Sequence, residues 1–213
     1  RDDPGSIAQV VDGYLQTSEF GTTIRELHNM DWMLRPFLFW FPPVAQFADQ
    51  TFTEFNRSVQ NAPLRLIEHV IMNDRPYTEI VTADYTVANG VVAGVWGMEY
   101  DGDGEAWIET RYPEAGRPHA GLLSESMIFT RHYTTPINAQ RSRANAISRS
   151  LLCFDFLKRD VTINIDVDLS DPAAVTNAVR TPECASCHQA LDPLAANFWI
   201  YELVFIPFQQ IET

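Results

Sequence analysis

The stretch ECASCHQALDPLAANFW, residues 183–199, decides how this chain is read. Of three cysteines, Cys184 and Cys187 stand three positions apart, and His188 follows directly. Paired cysteines at that spacing serve three chemistries: a redox dithiol, half of a zinc site, or covalent haem attachment. A zinc site needs four ligands, so one pair calls for a second. The only other cysteine is Cys153, and His28, His69, His119 and His132 are scattered singly. A thioredoxin-like pair opens a helix inside a βαβ unit, and no such pattern surrounds this one. The adjacent histidine is what neither alternative needs. Covalent haem uses all three residues: the thiols add across the porphyrin vinyl groups, and the following imidazole reaches the iron as proximal ligand. A structural or dithiol pair is the alternative.

Working outward, composition fits a folded chain of one large or two small domains, with 46% hydrophobic and 12% aromatic residues in 213. The net charge of −13 argues against nucleic acid or an anionic membrane surface as partner. It keeps the protein in solution and can also steer a basic redox partner. The most apolar run, residues 33–48, is interrupted by Arg35, Pro36, Pro42 and Pro43, too short and too broken to span a bilayer. We therefore expect no transmembrane segment of its own. No signal peptide opens the chain. Because haem is fitted to cysteines outside the cytoplasm, the expected location is periplasmic or otherwise extracytoplasmic, a leader having been removed or lying outside the chain. Cys153, in the apolar flank SLLCFDF, is expected as a buried small hydrophobe.

The expected fold is mainly α: a helical domain, a short loop or hairpin region, and a C-terminal c-type haem segment. The corresponding boundaries are 1–100, 101–160 and 161–213. Apolar spacing predicts helices over 6–17, 20–40 (broken by Gly21), 64–72 (begun by Pro63) and 82–95 (stopped by Gly97). Glycines and prolines punctuate 99–118 as a loop or hairpin. There Asp101, Asp103 and Glu105 resemble the start of a calcium loop, but Tyr112 stands where the bidentate Glu belongs, so we read a solvated turn. A basic helix is predicted over 138–156, with Ala144, Ile147, Leu151 and Phe154 inward. Its Arg141, Arg143 and Arg149 form either a solvated face or a guanidinium fork for haem propionates. Residues 161–168 read as one short strand, and Asp171 or Ser170 with Pro172 begins the helix before the motif.

Three stretches in this order resemble planctomycete-type extracytoplasmic cytochrome c proteins, domains of unknown function with a C-terminal CxxCH segment. NDRPYTEIVTADYTVANGVVAGVWG (73–97) is similar to their D-R-P…T-A-D-Y-T…N signature. Residues 119–153, HAGLLSESMIF through RSRANAISRSLLC, resemble their A-G-[IL]-L…R-x-R-A-N…L-C signature. Residues 184–198 resemble their haem segment. The resemblance implies a mainly helical protein with one covalent haem c, whose substrates are not established. The chain departs from longer members in having no second CxxCH, and its apolar tail after Trp199 is short.

The leading functional expectation is electron transfer, with a redox partner protein or a larger assembly. Leu191, Phe198 and Trp199 would wall the ring, and Asp192-Pro193 would cap or redirect the chain after the haem helix. The alternatives are a haem enzyme or gas-binding protein with an open sixth position, peroxidase-like or c-prime-like, or a haem-bearing structural subunit. For the latter, the aromatic run 37–47 would be an interface. No acid–base constellation beyond His119 or His132 suggests catalysis. No Met or His follows His188, so a sixth ligand must come from earlier in the chain, with Met127 and His132 the leading candidates over Met30, Met33, Met72, Met98, His28, His69 and His119.

Overall fold

The computed structural model describes residues 4–35, 51–113, 119–132, 139–158, 167–168 and 170–198. Helix accounts for 67% of these and strand for 4%, so the protein is mainly α. The expected interface run 37–47, most of the strand at 161–168, Trp199 and the tail beyond it lie outside the described residues. Two compact units divide the chain, Arg1–Arg131 and His132–Thr213.

The first unit is organised on one long helix. Helices α1 (Pro4–Leu15) and α2 (Ser18–Trp32) precede α3 (Phe52–Met72), which packs against most later elements of the unit. A capping box starts α3: the Thr51 hydroxyl accepts from the Glu54 amide, and the Glu54 carboxylate accepts from the Thr51 amide at 3.0 Å. Pro63 does not begin a helix here, as its position had suggested, but lies inside α3. An interior proline costs about 3 kcal/mol in an isolated helix. The apolar stripe offsets it, since Phe55, Val59, Ala62, Leu66, Ile67 and Val70 on both sides of Pro63 are all buried.

Residues 82–95 are not one helix. Helix α4 (Glu79–Thr82) gives way to β1 (Thr86–Ala88), then Asn89 caps α5 (Gly90–Trp96) by accepting from the Val92 amide at 3.1 Å. Thr86 and Val87, both β-branched, sit in a strand that pairs antiparallel with β2 (Ile108–Thr110), Val87 opposite Glu109. Gly97 stops α5 as expected, at φ 65°. The described part of 99–118 holds β2, whose partner β1 lies before α5, so the pairing is not a hairpin of that stretch; its acidic turn is exposed, with Asp103 accepting from the Glu105 and Ala106 amides at 3.0 and 2.9 Å. Gly21 does not break α2; it lies buried within it, facing Glu68.

A 3-10 turn (Gly121–Ser124) and α6 (Ser126–Arg131) close the unit. Here the stretches 73–97 and 119–131 meet. Buried Glu125 accepts from the Thr86 hydroxyl, and the Gly121 amide donates to the Ala83 carbonyl at 3.0 Å.

The second unit contains α7 (Ala139–Leu152), a 3-10 turn (Phe156–Lys158), α8 (Pro172–Ala178) and α9 (Pro182–Ala196). Ala144 and Ile147 are buried as expected, Leu151 is half-buried and Phe154 exposed. Cys153 is exposed, not a buried hydrophobe. It takes a left-handed turn at φ 55°, after which the chain folds back along α7: Ser148 donates to the Phe154 carbonyl at 2.7 Å and Asn145 accepts from the Phe156 amide at 2.8 Å. Asp171 caps α8 with Pro172 in its first turn, as the sequence signals.

Candidate haem-attachment site

Helix α9 begins at Pro182, whose missing amide hydrogen costs nothing in the first turn. On a 3.6-residue period, Cys184, Cys187, His188, Leu191, Asp192 and Ala195 fall along one stripe. That stripe is the half-buried side of the helix, while Ser186, Gln189, Ala190 and Pro193 are exposed. Cys184 and Cys187 are in no disulfide and both are partly accessible. Among the described residues no three His, Cys, Asp or Glu converge to hold a metal ion by themselves. A bare zinc site therefore lacks ligands, whereas a porphyrin brings four nitrogens and asks one imidazole of the chain.

The imidazole is held from its far side. His188 Nδ1 lies 3.0 Å from Asp192 Oδ1, one helical turn on, so the ring donates its Nδ1 hydrogen to the carboxylate and keeps Nε2 for a ligand. Asp192 is held in turn by a fork from α7: Arg141 Nε donates to Oδ1 at 2.6 Å and Nη2 to Oδ2 at 3.0 Å. Burial works against ionising Asp192. Hydrogen bonds from Arg141 and His188 outweigh it and hold the carboxyl below its ordinary range. The same pairing raises Arg141 above its ordinary value.

This arrangement reassigns Asp192-Pro193. The pair neither caps nor redirects the chain, because α9 runs through Pro193 to Ala196. Asp192 is the residue of the candidate site to which the sequence reading gave only a capping role, and its i+4 spacing from His188 is the signal that could have placed it there. Arg141 is engaged with Asp192. Arg143 is wholly enclosed, its Nη1 donating to Gln140 at 2.7 Å, while Arg149 is half-buried. Phe198, just past α9, is buried and Leu191 half-buried; Trp199 is outside the described residues. Of the candidate sixth ligands, Met127 belongs to the first unit with a fully buried side chain, and His132 opens the second at 8% exposure.

Two open clefts of about 680 and 380 Å³ are lined by residues of the first unit. Tyr100, Glu109 and Arg111 mark the larger, and four arginines with Trp107 the smaller. Neither includes a residue expected from the sequence to bind haem. The smaller cleft's Arg25 and Arg65 share Glu68, and its Arg35 pairs with Glu26. Compared with known proteins, the chain matches no family, no curated protein and no solved structure.

Proposed function

We propose that the chain is an extracytoplasmic c-type haem protein of the kind the planctomycete-type cytochromes c represent. One haem is linked through Cys184 and Cys187, with His188 Nε2 toward the iron. One observation carries the reading: two partly accessible cysteines in no disulfide and a histidine already oriented through Nδ1 share the half-buried stripe of α9. The chain supplies the spacing of the thiols, the tautomer of His188, and apolar surface from Leu191 and Phe198. Bound there, haem supplies a one-electron iron couple, and the role that follows is electron transfer. The net charge of −13 suits a basic redox partner, alone or within a larger assembly. No described helix is long and apolar enough to cross a membrane. Met127 or His132 is the candidate for the sixth position.

A second reading draws on the Asp192 carboxylate at His188. An imidazole bonded to an anion pushes electron density toward its metal, as a thiolate does where O–O cleavage is favoured. That suits a haem enzyme with an open sixth position. A pyridine haemochrome assay with intact mass tests the common ground: one haem per chain and a mass increased by one porphyrin are expected, and a bare polypeptide mass overturns both readings. Ready CO binding by the reduced protein then selects the second reading, and its absence the first.

A further inference from the structure

The polar partners of His188 form a chain of three groups from two helices. His188 and Asp192 lie one turn apart on α9, and Arg141 reaches Asp192 from the first turn of α7. The carboxylate oxygen Oδ1 is shared: it accepts from His188 Nδ1 at 3.0 Å and from Arg141 Nε at 2.6 Å. The side chains are 25%, 35% and 29% exposed, so water screens the three groups only in part.

Each group acts on the next. A carboxylate pulling on Nδ1–H makes the imidazole a stronger donor through Nε2, and a stronger donor favours ferric over ferrous iron. A bidentate guanidinium withdraws charge from that carboxylate and weakens the pull. Resting on the haem reading above, we propose that Asp192 and Arg141 are positioning residues that set the potential of the His188-bound iron in opposite directions, Arg141 acting through Asp192. The two helices that pack to bury the motif thereby also set its electronics. Neither residue touches the iron.

The experiment uses the full chain, matured with haem, and measures midpoint potentials for wild type, Asp192→Asn, Arg141→Gln, Arg141→Lys and the Asp192→Asn/Arg141→Gln double variant. Circular dichroism and haem stoichiometry are measured on each. Asp192→Asn is expected to raise the potential by a tenfold or greater shift in the ferric-to-ferrous preference, about 59 mV per decade for one electron. Arg141→Gln is expected to lower it, and Arg141→Lys, with its charge but no fork, to fall between Arg141→Gln and wild type. In the Asp192→Asn background, Arg141→Gln should have no further effect. The Nδ1–H proton resonance of ¹⁵N-histidine-labelled reduced protein should move upfield in Asp192→Asn and downfield in Arg141→Gln, which mere helix packing would not produce.

Unmoved potentials, shifts of the same sign, or an Arg141→Gln effect that persists without the carboxylate overturn the inference alone. A wild-type chain carrying no haem overturns the proposed function and this inference with it. Because Asp192→Asn keeps shape and Arg141→Lys keeps charge, a single misfolded variant leaves the others to decide.

Discussion

Gly121 and Gly21 are both buried glycines on which a Cβ would collide with a neighbour, yet alanine at the two sites should act very differently. At Gly121 the backbone is left-handed, φ 49°, which costs a non-glycine residue about 1–2 kcal/mol. The added Cβ would lie 2.8 Å from the Ile80 carbonyl carbon and 3.0 Å from the Glu79 oxygen, with the Ile80 oxygen nearer still. These are backbone atoms of α4 and cannot rotate away, so overpacking adds about 1–3 kcal/mol. Moving the turn also strains the Gly121–Ala83 hydrogen bond, worth about 1 kcal/mol. Gly121→Ala should therefore cost about 3–5 kcal/mol, a large share of a typical domain's stability. At Gly21 the obstruction is the end of the Glu68 side chain, which can swing aside. Turning it from Arg25 and Arg65 costs about what relieving a helical glycine gains, roughly 1 kcal/mol, so Gly21→Ala should fall within about 1 kcal/mol of wild type. Urea unfolding followed by tryptophan fluorescence reads this unit, because four of the five tryptophans (Trp32, Trp40, Trp96 and Trp107) precede residue 131. A loss below about 1 kcal/mol for Gly121→Ala, or equal losses at both sites, would refute the reasoning.

Two further outcomes are expected. Met127→Ala should destabilise the first unit by about 2–5 kcal/mol, as truncation of a fully buried side chain does, and where His132 holds the sixth position the haem spectrum stays unchanged. Disappearance of a near-infrared thioether–iron band in that variant would instead place Met127 on the iron. Acid should weaken the fold through Asp155, whose carboxyl is held below its ordinary range by the Leu157 amide and Asn145, and through Glu54, lowered by the Thr51 hydroxyl and amide. For a depressed carboxyl the stabilisation is complete above the unfolded-state value, about 4, and is lost as pH falls through the lower folded-state value. Urea midpoints that hold constant from pH 6 to 5 and then drop below pH 4, with a shallower drop in Asp155→Asn, are the expected result.

Helical content was legible because it depends on local signals: the Gly97 stop and the Asp171-Pro172 start appear where the sequence puts them, and α7 follows its expected pattern as far as Leu152, short of the expected end at 156. What misled was the treatment of single residues as punctuation. Pro63 and Gly21 read as boundaries, yet both lie within helices whose buried stripes continue past them. Cys153 read as core from its apolar neighbours. The turn after α7, fixed by Ser148 and Asn145 at separations of six and eleven residues, sends it outward. The β1–β2 pairing joins residues twenty or more apart, and no periodicity within 82–95 could announce it.

The same lesson carries the candidate site. Cys184, Cys187 and His188 are legible as chemistry because the motif is contiguous, but the state of the imidazole is settled by residues four and forty-seven positions away, Asp192 and Arg141. Asp-Pro ordinarily reads as a place where a helix ends, since proline disfavours the helical conformation of the residue before it. Had α9 ended there, Asp192 would sit in a turn, its carboxylate drawn to nearby backbone amides as Asp103's is. Because the helix runs on through Pro193, Asp192 stays in register one turn beyond His188, and its carboxylate is left for the ring and for Arg141. Continuity through the proline is thus what converts a helix-ending signal into a partner for Nδ1 of His188.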